Sequence, residues 1–187
     1  MIIAIIPAKK DSNRLPDKNM RPLLGRPMLE HAINYAKQSN RLSKIYVSTD
    51  DKAIANFTEC QEVEVIIRPP SLGGETPLLD VYRHALNILL PKNVETVVGV
   101  QVDHPDRNIS LDEALEIYEH DGLDYLYSKD AHGQKNGAHA ILNTKGILEN
   151  KFKKRDHIID NCTNVHFESD LMKAAIRMQA MGLSKHN

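Results

Sequence analysis

The 187-residue chain is 41% hydrophobic and 26% charged, and 24 Lys plus Arg against 25 Asp plus Glu leave a formal charge of -1. This is the composition of a globular protein, read as one compact domain over residues 1–187, and it excludes a disordered chain or a global attraction to nucleic acid or anionic lipid. Apolar stretches such as Val94 to Val102 fall short of the roughly 20 residues of a membrane span, and the start Met1-Ile2-Ile3-Ala4-Ile5-Ile6 lacks the basic segment of a signal peptide. Cys60 and Cys162, without metal-type spacing, fit a reducing compartment, so a cytoplasmic protein is expected, with neither nucleic acid nor membrane as partner.

In chain order, the apolar run Ile2 to Ile6, stopped by Pro7, predicts a strand buried on both faces of a parallel sheet. Met28, Leu29, Ala32, Ile33 and Ala36 recur at helical spacing over Met28 to Gln38, with Pro27 suited to the first turn. A strand at Ile45 to Ser48 precedes a helix capped by Thr49 or Asp50 and running through Phe57, and Val63 to Ile67 is the next strand. Thr76-Pro77 opens a helix with Leu79, Tyr82, Ala85, Leu86 and Leu89 on one face, stopping near Pro91. Thr96 to Val102 is a buried strand, and Ser110-Leu111-Asp112-Glu113 is a capping box opening a fourth helix. Tyr125 to Tyr127, Ala138 to Leu142 and Ile158 to Phe167 are expected strands, Lys151 to Arg155 a solvated basic helix face, and Glu168 to Met181 a closing helix.

This alternation predicts βαβ units, hence a mostly parallel sheet with helices on both faces. Ligands in such sheets bind beyond the carboxyl ends of the strands, near the switch in strand order. The loops to read for function are therefore 7–22, 48–51, 68–76 and 103–108. The first holds Lys9, Lys10, Arg14, Lys18 and Arg21 against Asp11 and Asp17. Backbone N–H groups joined by these cations suit a polyphosphate, although no glycine-Lys-Ser/Thr sequence makes a Walker A loop. Asp103 stands at the carboxyl end of a buried strand and is either a site carboxylate or a turn acid before the helix at Ser110. His104, His132, His139, His157 and His166 lack the spacing of a zinc site, and His104 with His166 can converge on one crevice.

Ala8-Lys9-x-x-Ser12-x-Arg14-Leu15-Pro16-x-Lys18-Asn19 resembles the signature loop of the sugar-acid cytidylyltransferases, the family that makes CMP-sialic acid and CMP-Kdo. The resemblance continues through Leu24-Gly25-Arg26-Pro27-Met28, Val47-Ser48-Thr49-Asp50, Arg68-Pro69-x-x-Leu72, His84-Ala85-Leu86 and Asn136-Gly137-Ala138. It implies the Rossmann-like three-layer α/β fold of nucleotide-diphospho-sugar transferases, and transfer of CMP from CTP to a sialic acid-like or Kdo-like 2-keto sugar acid. It further implies Lys18 as the catalytic cation, with Lys9 and Arg14 on the β- and γ-phosphates and Ala8 and Ser12 in the phosphate loop. Asn19, Arg68 and Gln101 match positions that bind ribose and base; from its residue type alone, Arg68 reads instead as a strand-end surface cation. Val100-Gln101-Val102-Asp103-x-Pro105 resembles the CMP-Kdo branch, where this Asp binds Mg²⁺, the expected cofactor.

The chain departs from the family in three places. Asp11 stands where glycine is common. Asn164-Val165-His166 replaces an acid-bearing segment, leaving His166 or Glu168 as alternative metal ligands. The segment that the sialic acid enzymes use for dimerisation is nearly missing between Tyr127 and Asn136, which leaves a homodimer open. Two other readings follow: use of another nucleoside triphosphate or a different sugar or phosphorylated acceptor, and a degenerate, non-catalytic nucleotide-binding subunit.

Overall fold

A computed structural model describes residues 1–10, 12–89 and 93–183. Asp11 and Pro91 lie outside the described residues. Seven strands form the central sheet: β1 (Ile2–Ala8), β4 (Lys44–Thr49), β5 (Glu64–Ile67), β6 (Thr96–Gly99), β7 (Tyr125–Lys129), β8 (Lys135–Asn143) and β9 (Arg155–Ile159). Their order is β5-β4-β1-β6-β8-β7-β9. Only β8 pairs antiparallel to its neighbours; the other ladders are parallel. A separate two-stranded pair, β2 (Pro22–Leu23) and β3 (Arg26–Pro27), turns at Leu24-Gly25.

Alternation along each strand divides the core into two layers. Ala4, Ile6 and Ala8 of β1, Val98 of β6 and Ile141 of β8 face one side. There they meet α1 (Met28–Lys37), α2 (Lys52–Cys60), α4 (Leu111–His120) and α6 (Glu168–Ala180). Ile3 and Ile5 of β1, Val97 of β6 and Leu142 of β8 face the other side, against α3 (Leu78–Leu89) and α5 (Thr144–Glu149). The sandwich is a mostly parallel, three-layer α/β fold, as the alternation of elements implies. No helix among the described residues is long and apolar enough to cross a membrane.

From β1 the chain steps outward through β4 to β5, then returns to place β6 on the opposite side of β1. The strand order therefore reverses between β1 and β6, and the loops leaving their carboxyl ends border the resulting crevice.

Several expectations are corrected. Asp51, not Thr49 or Asp50, caps α2, its carboxylate accepting from Ile54 N at 2.9 Å. β6 ends at Gly99 rather than Val102, because the Gln101 carbonyl turns to the Arg107 guanidinium. β9 stops at Ile159, where the buried Asp160 carboxylate gathers the N–H groups of Asn108, Ile109 and Cys162 and ends the extended run. Lys151 to Lys154 is solvated but irregular, held by Lys153 and Lys154 N–H donation to Asp124. The capping box of Ser110 and Glu113 is present as the sequence implies. Helix α5, which carries Gly146 and no apolar period, is signalled only by Asn143, whose side chain accepts from Gly146 N.

Candidate active site

The loop after β1 is a closed ring. Leu15 is buried in the core, and the Asn19 amide donates to the Lys9 carbonyl at 2.6 Å, so the loop's two ends are tied. Asp17 adopts a left-handed conformation that starts the 3₁₀ turn Lys18–Met20, which Asn19 anchors by its burial. The ring is also latched outward: Lys9 Nζ donates to Gly74 O at 2.7 Å, Lys10 N to Asp50 Oδ1 at 2.9 Å, and Asn13 to Glu75 at 3.2 Å.

These contacts shape a cleft of about 300 Å³ at the switch point. From the ring, Lys9, Ser12, Arg14, Lys18 and Asn19 line it; Arg68, Gln101, Asp103 and His166 arrive from three further segments. Lys18 Nζ lies 2.7 Å from Asp103 Oδ2, a pair largely withdrawn from solvent. His166, beside Arg14, Lys18 and Asp103, is held below the usual histidine range, mainly by burial and then by the two cations, with Asp103 opposing. A neutral imidazole therefore faces the cleft at neutral pH.

Arg68 is not a surface cation: it is 3% exposed, with Nη2 3.7 Å from Asp50 Oδ1 and Nε without a partner. Burial lowers its pKa, and Asp50 partly offsets this. A buried guanidinium with an unmatched N–H retains an unused donor beside the cleft. The Gln101 amide nitrogen donates to Gly137 O at 3.0 Å, and Gly137, at φ +83°, leaves the room this side chain occupies.

Other expected site residues sit elsewhere. The Ala8 side chain is fully buried in the core and does not line the cleft, which leaves its backbone as its contribution. Glu168 is outside the lining and pairs with Arg21, so it is not poised as a metal ligand. His104 does not reach the crevice either: it is buried, its Nδ1 pairs with Thr163 O at 3.0 Å, and burial pushes its pKa down to about 3. Conversely, Glu75 and Asn13 line the cleft without having been singled out, although Glu75 falls in the 68–76 loop selected by the sheet rule.

Against known proteins, residues 3–155 match the family model for cytidylyltransferases. The chain belongs to the cytidylyltransferase family. It is 34% identical over 104 residues to an 8-amino-3,8-dideoxy-manno-octulosonate cytidylyltransferase of Shewanella sp. strain W3-18-1, covering 56% of this chain and 41% of that protein. A protein of the same name from Shewanella oneidensis is 31% identical over 119 residues, covering 63% and 47%. The chain thus spans less than half the length of these relatives.

Among solved structures, a CMP:2-keto-3-deoxy-manno-octonic acid synthetase complexed with CTP superposes with a TM-score of 0.76 at 14% identity, covering 96% of this chain and 99% of that one. A 4-diphosphocytidyl-2C-methyl-D-erythritol synthase from Anaerococcus prevotii superposes at 0.65 and 13% identity, covering 95% and 98%. At such identities these likenesses establish the shared fold.

Proposed function

We propose that this chain, as a single nucleotidyltransferase domain, transfers CMP from CTP to a hydroxyl of a 2-keto sugar acid of the sialic acid or Kdo type. The observation that carries the reading is the convergence, at the switch point, of Lys9, Arg14, Lys18 and Arg68 with Asp103 in one cleft of a cytidylyltransferase-family fold. The likeness to relatives named for an amino-dideoxy-octulosonate and to a synthetase complexed with CTP supports the donor and the acceptor class.

In this reaction the acceptor oxygen bonds to the α-phosphorus, the bond from that phosphorus to the β-phosphate oxygen breaks, and the hydroxyl proton passes to water. Charge accumulates on the α-phosphate oxygens and the departing pyrophosphate, and preorganised cations stabilise it most at the transition state. Lys18, held by Asp103, serves the α-phosphate; Lys9 and Arg14 hold the outer phosphates, with Ser12 and the loop backbone supplying further donors. Arg68, Gln101 and Asn19 border the nucleoside end, Asn19 mainly by fixing the ring through Lys9 O.

Among the described residues no three His, Cys, Asp or Glu side chains form a metal cluster. Asp103 offers one carboxylate, its Oδ2 shared with Lys18, and the neutral His166 is a poor ligand for a hard ion. This donor set fits a Mg²⁺ that arrives on the nucleotide, since Mg²⁺ accepts one protein carboxylate with phosphate and water completing its shell. Bound there, Mg²⁺ would neutralise phosphate charge, with Asp103 as its protein ligand.

The missing acids at Asn164 and His166 favour a second reading, a nucleotide-binding subunit without turnover. Pyrophosphate detection with a panel of nucleoside triphosphates and 2-keto sugar acids separates the two. Release with CTP and one such acid is expected; CTP binding with no pyrophosphate from any acceptor overturns the first reading.

A further inference from the structure

Directly behind the cleft, two adjacent residues of opposite charge are withdrawn from water: Asp106 is fully buried and Arg107 is 5% exposed. They do not pair with each other. Arg107 donates through Nε to Ala138 O at 2.7 Å, through Nη1 to His104 O and through Nη2 to Gln101 O, and its guanidinium lies 4.8 Å over the Tyr35 ring. One rigid fork thus joins two positions of the turn after β6, Gln101 and His104, to Ala138 of β8. Asp106 faces the other way. Its carboxylate accepts from Thr163 N and Thr163 Oγ1, both at 2.8 Å, and from Arg177 Nε of α6. Thr163 begins the segment leading to His166, and Val165 N donates to Asp103 O at 2.9 Å.

Burying two charges is costly unless each is fully hydrogen-bonded. Neither side chain lines the cleft. What they hold is the cleft's far wall: the turn that carries Gln101 and Asp103, and the strap that carries His166.

We propose that Asp106 and Arg107 are positioning residues that set Asp103 at the distance needed to meet the nucleotide's metal and phosphates, Arg107 from the sheet side and Asp106 from the C-terminal side. The inference rests on the nucleotidyltransferase reading of the cleft. A guanidinium meets three carbonyls in fixed directions, whereas an ammonium on a flexible stem cannot satisfy the same three in the same plane. Arg107→Lys therefore keeps the charge and the stem but frees the turn. Arg177→Gln loosens Asp106 while keeping an amide donor toward its buried carboxylate, so a lower melting temperature is expected with the fold retained.

The experiment is calorimetric titration of CTP into the full chain, with and without Mg²⁺, alongside the melting temperature and pyrophosphate release. The expected result for Arg107→Lys is at least a tenfold loss of the affinity gain that Mg²⁺ confers, read as the ratio of CTP affinities with and without the ion, so that any metal-free loss through Gln101 cancels. Arg177→Gln should show the same loss, severalfold in size. A purely structural role lowers the melting temperature while leaving the Mg²⁺ gain intact in both variants, and that result overturns the inference. So does a wild-type protein whose CTP affinity ignores Mg²⁺. Failure of the functional reading is distinct: the Mg²⁺ gain behaves as expected, yet no acceptor yields pyrophosphate.

Discussion

The Lys18 ammonium touches the Asp103 carboxylate at 2.7 Å although 85 residues separate them in the chain. One stands on the ring after β1 and the other on the turn after β6, so their contact spans the switch point. Each neutralises the other across the cleft, and on the proposed function a nucleotide arriving with its metal would share or displace that contact. The cation is therefore part of a preorganised wall, more buried than a loop lysine's sequence context implies.

Lys18→Ala should lower kcat by on the order of a hundredfold or more, because the lost charge acts where phosphate charge develops. Far-UV circular dichroism should remain that of the folded protein. Steady-state pyrophosphate release measures the effect, and near-normal turnover in this variant removes Lys18 from the mechanism.

Arg68→Ala should act on binding: the KM for CTP rises by about tenfold or more, as expected on losing a charge-assisted hydrogen bond, while kcat changes little. An unchanged KM would show that the buried guanidinium serves only to hold Asp50 and the neighbouring loops.

At Gly137 the backbone has φ +83°, and an added Cβ would meet Gln101 Nε2 at 2.4 Å. Gly137→Ala should cost about 1 to 2 kcal/mol from the left-handed backbone alone, and it should also displace Gln101 and weaken CTP binding. Chemical denaturation and a CTP titration read the two effects separately; loss of stability with intact CTP affinity would remove Gln101 from the nucleotide site.

His139 and Asp160 set a pH limit on the fold. The His139 side chain is buried with Nε2 2.9 Å from Asp160 Oδ2, and burial holds its pKa below 6.5 despite the aspartate. Asp160 already accepts backbone N–H groups, so Nε2 carries the proton and the ring is neutral. For Asp160 burial acts to raise the pKa, but the His139 and backbone hydrogen bonds outweigh it and hold the group below its ordinary value. Because the unfolded chain binds the His139 proton more readily, this contribution is complete above pH 6.5 and is lost as pH falls through the native pKa. Urea midpoints should decline from pH 7 to 5, with the buried His104 contributing over the same range, and His139→Gln, which keeps a donor toward Asp160 but does not titrate, should make that decline shallower. An equal decline in the variant would place the pH limit elsewhere.

Local signals carried much of this structure. The apolar run at Ile2, the period of α1 and the Ser110–Glu113 capping box lie within short windows, and each formed the element it implies. β1 nonetheless continues through Pro7, its expected stop, to Ala8, and these two residues pair with Ser48 and Thr49 of β4. The basic loop after β1 was legible because its cations crowd between a strand end and a helix. The buried supports were not. Arg107, Asp106 and Asp160 look like ordinary surface charges in sequence, and their partners, respectively Ala138, Thr163 and Asn108, lie 31, 57 and 52 residues away. Nothing local marks a charge that will be satisfied by distant carbonyls and amides. Glu168 shows the converse, since its position beside His166 in sequence points to the cleft while the start of α6 turns it toward Arg21.

The central claim is transfer of the α-phosphorus itself. CTP labelled at that atom, incubated with the full chain, Mg²⁺ and a 2-keto sugar acid, should yield a labelled sugar nucleotide and one unlabelled pyrophosphate per label transferred. CTP that binds the chain, yet leaves its label in triphosphate with every such acid, would contradict the account.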